Sequence, residues 1–170
     1  MSKTIDHLYR LYNNPFFLTP ILIEFYKAYQ GKQSKDILLS YIVLPIVLYE
    51  DSKLILLRKN KDRTIRTFIN YHKKEDNTKF QKEIKKNEKL FGLPERVEEF
   101  KEMTNLCLQY AFDRGCLKLN EEDLSISYIN NDFEKDNTLV EFLTVAENLS
   151  LMFKKEKITH IYMKLGIKKL

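Results

Sequence analysis

The sequence predicts a mainly α fold carrying one short β-hairpin, a single compact domain of winged-helix-like α+β character. Three observations lead there. Glycine and proline are scarce, with Gly 4 and Pro 4 in 170 residues, so a turn-rich β-sandwich is excluded and each breaker is informative. Apolar residues recur at the helical i, i+3, i+4 spacing through most of the chain. Just after Gly115 the period changes to two, over CLKL and LSISYI.

Taken in order, Asn13, Asn14 and Pro15 signal a turn, and Phe16 and Phe17 are too apolar to leave in water together. Thr19 is read as a cap with Pro20 at the first helical position. Ile21, Leu22, Phe25, Tyr26 and Tyr29 then follow the helical rhythm as far as Gly31. Residues 37–49, ILLSYIVLPIVLY, are apolar except for Ser40. At about 13 residues this stretch is short of the roughly 20 needed to cross a bilayer, so it is expected at the centre of the fold, with Pro45 kinking or ending its helix.

Glu50, Asp51 and Ser52 read as a break, and KLILL after them as a short helix. A helix with one basic face is expected over 64–72, through Ile65, Phe68, Ile69 and Tyr71, and another over 79–91. The clearest helix runs from Pro94 to Arg114, with Glu95, Glu98 and Glu99 near its positive end and Gly115 as its stop. Its inward stripe should be Val97, Phe100, Met103 or Thr104, Cys107, Leu108 and Ala111. In the hairpin, Leu117, Leu119, Leu124 and Ile126 are expected to point inward. Thr138 caps a helix with Leu139, Phe142, Leu143, Ala146, Leu149 and Phe153 on one side, and a last helix through Ile158, Ile161, Tyr162 and Leu165 ends at Gly166. The chain thus divides into an apolar part over 1–50, a basic helical arm over 51–92, a helix with its hairpin over 93–130 and C-terminal helices over 131–170, all within one domain.

Charge is partitioned along this order. Residues 53–89 hold 13 Lys/Arg against 5 Asp/Glu, net +8, whereas residues 90–136 hold 5 against 11, net −6. Such a split suits docking against charged partners. A basic patch of Arg58, Lys59, Lys61, Arg63, Arg66, Lys82, Lys85 and Lys86 is therefore the candidate DNA-facing surface.

The remaining chemistry reads as structural. His7, His72 and His160 are too scattered to form a metal motif, so no metal site is expected. Cys107 and Cys116 sit among core-type residues, as in a reduced cytoplasmic protein, and no secretion signal precedes them. The four glycines are isolated, which gives no phosphate-cradling loop. Helix followed by hairpin is the order of a winged helix, whose recognition helix enters the major groove. Here that helix carries Glu95, Glu98, Glu99, Glu102 and Asp113, and the wing carries Glu121, Glu122 and Asp123, all repelled by phosphates. This module is expected to bind protein.

The succession Asn14-Pro15-Phe16, the apolar helix with Leu44-Pro45, Arg96 followed by Thr104, Ala111, Gly115 and Leu117, and the ending Leu165-Gly166-Ile167 resembles the middle component of three-component ABC systems. That component is the small partner of an SMC-like ATPase, as in Lamassu-type antiphage defence. Tyr49 stands where the pattern has His, and Ser52-Lys53 where it has Thr-Arg. The resemblance implies a non-catalytic, cofactor-free subunit that bridges a coiled-coil ABC ATPase and an effector such as a nuclease. On this reading the protein interface involves Phe16, Phe17, Tyr41, Leu44, Pro45 and Tyr49, with DNA near the basic patch. The alternatives are a stand-alone winged-helix DNA-binding regulator and, further off, a small nuclease.

Overall fold

The computed structural model describes residues 14–29, 36–58, 64–70, 90–133, 137–154 and 156–168. The first helix, α1 (Pro15–Ala28), begins one turn earlier than the sequence suggests. Asn14 is the cap: its side chain accepts from the Phe16 N–H at 3.0 Å, and Pro15 occupies the first turn, where a missing N–H costs nothing. Thr19 and Pro20 lie inside the helix. The Thr19 hydroxyl donates to the Pro15 carbonyl at 2.6 Å and also reaches the Cys107 carbonyl at 3.4 Å.

The fold is organised around α1, which packs most extensively on α7 (Val140–Phe153) and α6 (Lys101–Asp113) and buries residues 18–23, Phe25 and Tyr26. Residues 37–49, expected at the centre of the fold, share this core with α1. That stretch forms a 3-10 turn (Ile37–Leu39) leading into α2 (Ser40–Val47), which packs against one side of α1 and is itself buried at Ser40 and over 42–47. Pro45 is accommodated two residues before α2 ends. A polar pin joins the two helices: the Tyr26 hydroxyl hydrogen-bonds Ser40 Oγ at 2.7 Å and donates to the Asp36 carbonyl at 3.0 Å. A buried hydroxyl needs such partners.

The residues read as a break, Glu50 to Ser52, are the first turn of α3 (Glu50–Leu57), where two acidic groups suit the positive helix end. Lys53 pairs with Glu50 at 2.8 Å and lies 5.2 Å from the centre of the Phe142 ring, and Asn148 Nδ2 donates to the Leu56 carbonyl at 2.8 Å. These contacts fix α3 on α7. Of the helix expected over 64–72, α4 (Ile65–Ile69) is seen, started by a reciprocal Thr64/Thr67 capping box and buried at Ile65 and Phe68, while residues 71–72 lie outside the described residues. The helix expected over 79–91 falls outside the described residues for 79–89.

The single helix expected from Pro94 to Arg114 is two, α5 (Leu93–Glu99) and α6, bent at Phe100. The bend has a packing cause, since α5 follows α2 while α6 follows α1. The inward stripe is otherwise as expected, with Val97, Thr104, Cys107, Leu108 and Ala111 buried and Phe100 and Met103 half-buried. Gly115, at φ +65°, turns the chain into β1 (Leu117–Asn120), which pairs antiparallel with β2 (Ser125–Tyr128) in the register Leu119↔Ile126. Leu117 and Ile126 are buried and Leu119 half-buried. Leu124 corrects the expectation: it is a left-handed turn residue, φ +53°, 53% exposed, and its carbonyl accepts from the Ile37 N–H at 2.9 Å. A 3-10 turn (Asn137–Leu139) leads into α7, and α8 (Ile158–Leu165) ends at Gly166 and packs on α4. One hydrophobic cluster extends from Leu18 to Ile167, so the described elements form one mainly α unit with a short hairpin.

Candidate docking face

The Asn14 cap sets the direction of the first turn of α1 and leaves Phe16 59% exposed. Phe16 does not stand alone. Its ring meets Tyr110 of α6 edge-on at 4.6 Å, and Tyr110 meets Phe133, beyond β2, at 5.7 Å and 69°. Three segments thus contribute one continuous aromatic row. Arg114 closes its far end, lying 6.0 Å from the Phe133 ring centre and paired with Asp132 at 2.7 Å.

Beside the row runs the wet stripe of α6, Glu102, Leu106, Gln109 and Asp113, at the helical spacing. Leu106 is 54% exposed in the middle of it, one turn before Tyr110. Gln109 donates to Asp113 at 2.8 Å, and Lys101 pairs with Glu98 at 3.4 Å. The face therefore combines rigid aromatic and aliphatic groups with an acidic border, the composition of an interface anchor inside a polar rim.

A second cluster holds α5 to the end of α2. Arg96 Nε donates to the Pro45 carbonyl at 3.3 Å, Nη1 donates to the Phe91 carbonyl, and the guanidinium lies 3.8 Å from the centre of the Tyr49 ring. Burial lowers the Arg96 pKa, opposed by Tyr49, Glu95 and Glu99. A planar cation with several donors is the side chain that can serve two carbonyls and one ring together.

The interface residues expected from the sequence separate into surface and interior. Phe16 is exposed; Phe17, Tyr41 and Tyr49 are half-buried; Leu44 and Pro45 lie in the chain's own core. The Tyr41 hydroxyl donates to Asn105 Oδ1 at 2.8 Å, which ties α2 to α6. Of the basic patch, Arg58 and Arg66 are exposed near the ends of α3 and α4, and Lys59, Lys61, Arg63, Lys82, Lys85 and Lys86 lie outside the described residues. The sequence reading missed Tyr110, Phe133 and Leu106. Only Leu106 left a local signal, an aliphatic residue on an otherwise polar helical stripe.

Burial pushes the Cys107 thiol up to about 11, against a hydrogen bond with Thr19 that pulls the other way. A half-open cleft of about 300 Å³ lies between Tyr29, Asp36, Leu39 and the start of α8, with Glu156 at its rim paired to Lys164 at 2.6 Å. Among the described residues no group of three or more His, Cys, Asp and Glu converges as a metal site would require, and no helix is long and apolar enough to cross a membrane.

Fold and surface together define a small, mainly helical protein whose described surface carries an aromatic row beside a polar helical stripe. More specifically, the chain belongs to the ABC-three component (ABC-3C) system Middle Component 3 family, whose model matches residues 2–169. It is thus a middle component of such a system. No curated protein and no solved structure matches the chain.

Proposed function

We propose that this chain is a non-catalytic adaptor that docks on the SMC-like ABC ATPase of its system and couples it to an effector, such as a nuclease, in a prokaryotic DNA-sensing antiphage complex. Family membership implies interaction with the other components. The observation that supports the adaptor reading is the surface row in which exposed Phe16 stacks edge-on against half-buried Tyr110, and Tyr110 against half-buried Phe133, with exposed Leu106 beside it. In this reading DNA lies near the basic segment over 53–89, a proposal supported by its net charge of +8.

Co-expression with the ABC ATPase of the same three-component system tests the reading. A complex that survives gel filtration at micromolar concentration is expected; separate elution of the two proteins would remove the adaptor role. In that complex, Arg58→Glu, Lys59→Glu, Arg63→Glu and Arg66→Glu together should weaken DNA association by at least ten-fold and leave assembly intact. Unchanged DNA affinity would free the basic segment of that role. Salt-dependent duplex binding by the isolated chain would favour the stand-alone regulator instead.

A further inference from the structure

The acidic character of the aromatic face narrows what can dock on it. The whole chain is net +5, yet Glu98, Glu102 and Asp113 lie along the exposed side of α5 and α6, next to Leu106 and Tyr110. The nearby cations are occupied locally, Lys101 by Glu98 and Arg114 by Asp132. A ligand for this surface must therefore match an apolar centre and a negative border. The backbone donors and acceptors of α6 are used within the helix, so the face offers side chains alone. A segment buried against it has to satisfy its own backbone, as a helix does.

We propose that the face formed by Phe16, Leu106 and Tyr110, bordered by Glu102 and Asp113, receives a basic amphipathic helix from another component of the system. Leu106 and Tyr110 are one turn apart, close to 6 Å along α6. Apolar anchors at i and i+3 or i+4 on the incoming helix match that interval, and Lys or Arg on its flanks meets the carboxylates. Desolvated aromatic and aliphatic groups supply affinity, and the charges supply register and partner choice. This assignment rests on the adaptor reading and adds the chemistry of the partner and the place where it sits.

Two substitutions at one position separate charge from apolar contact. Leu106→Lys and Leu106→Glu both remove the aliphatic group from an exposed helical site that folding does not depend on. Binding of the remaining components, purified together without this chain, should be weakened at least ten-fold more by Leu106→Lys than by Leu106→Glu, and the difference should shrink in high salt. Equal effects, or none, would overturn the basic partner while the complex itself still forms. A benzophenone amino acid placed at position 106 in the co-expressed complex gives the second readout. Crosslinking to a Lys/Arg-rich helical segment of another component is expected. Crosslinking to residues 71–89 of this chain, to a second copy, or to nothing in an intact complex would overturn the proposal. Failure of the unsubstituted chain to form any complex would instead remove the adaptor reading on which it stands.

Discussion

α1 and α6 lie against each other and are nearly equal in length, 14 and 13 residues, but they have opposite relations to water. α1 is enclosed by α2, α6, α7 and β2, so that eight of its residues are buried and its sequence alternates little. α6 buries four residues, Thr104, Cys107, Leu108 and Ala111, and keeps a polar face broken by Leu106. The difference teaches that of these two helices the more apolar one serves as scaffold, whereas the more polar one keeps a broad face in water.

The largest expected effect lies on the buried side of this contrast. Phe25 contacts Tyr26, Tyr29 and Phe153 ring to ring and is fully buried. Phe25→Ala should cost about 3–5 kcal/mol, measured as a fall in the urea midpoint. A loss under about 1 kcal/mol would show that α1 is not the centre of the fold.

A middling effect belongs to the pin between α1 and α2. Burial raises the Tyr26 pKa far above its usual 10.0, opposed by its hydrogen bond with Ser40 and reinforced by Asp36; burial likewise raises Tyr162. Above pH 10 the unfolded chain releases these protons and the folded chain keeps them. Stability is therefore complete below pH 10 and falls as pH climbs beyond it. Tyr26→Phe should cost about 1–3 kcal/mol at pH 7, by leaving Ser40 and the Asp36 carbonyl short of a partner. It should also flatten the alkaline decline seen by denaturation at pH 9 to 12. Parallel curves for the two proteins would assign that decline to other groups.

The smallest effect is expected at the one aromatic residue that α1 gives to the surface. Phe16→Ala loses its edge contact with Tyr110 and should change stability by about 1 kcal/mol or less. A thermal shift as large as that of Phe25→Ala would erase the distinction between scaffold and face.

The α6 stripe was legible in the sequence because only one side of that helix is wet, and a one-sided helix writes its period into the residues. α1 hid its start for the opposite reason. Asn14-Pro15 and Thr19-Pro20 are equally good cap-and-proline pairs, and the choice is made by burial of Leu18 and Thr19 against distant elements, which local pattern does not encode. The bend at Phe100 carries no Gly or Pro and follows from packing on two different helices. Leu124 misled because strand alternation was extended one residue past the ladder, into the turn. The aromatic row was legible only at Phe16, since Tyr110 and Phe133 join it from separate segments through tertiary structure.

The Arg96 cluster bears on how this chain can diverge. Two of the Arg96 partners, at Pro45 and Phe91, are main-chain oxygens, which every amino acid supplies. Position 91, 78% exposed, is thus free to drift without loosening the contact. Positions 49 and 96 are coupled more tightly, because the stacking of ring and guanidinium is lost when either side chain changes.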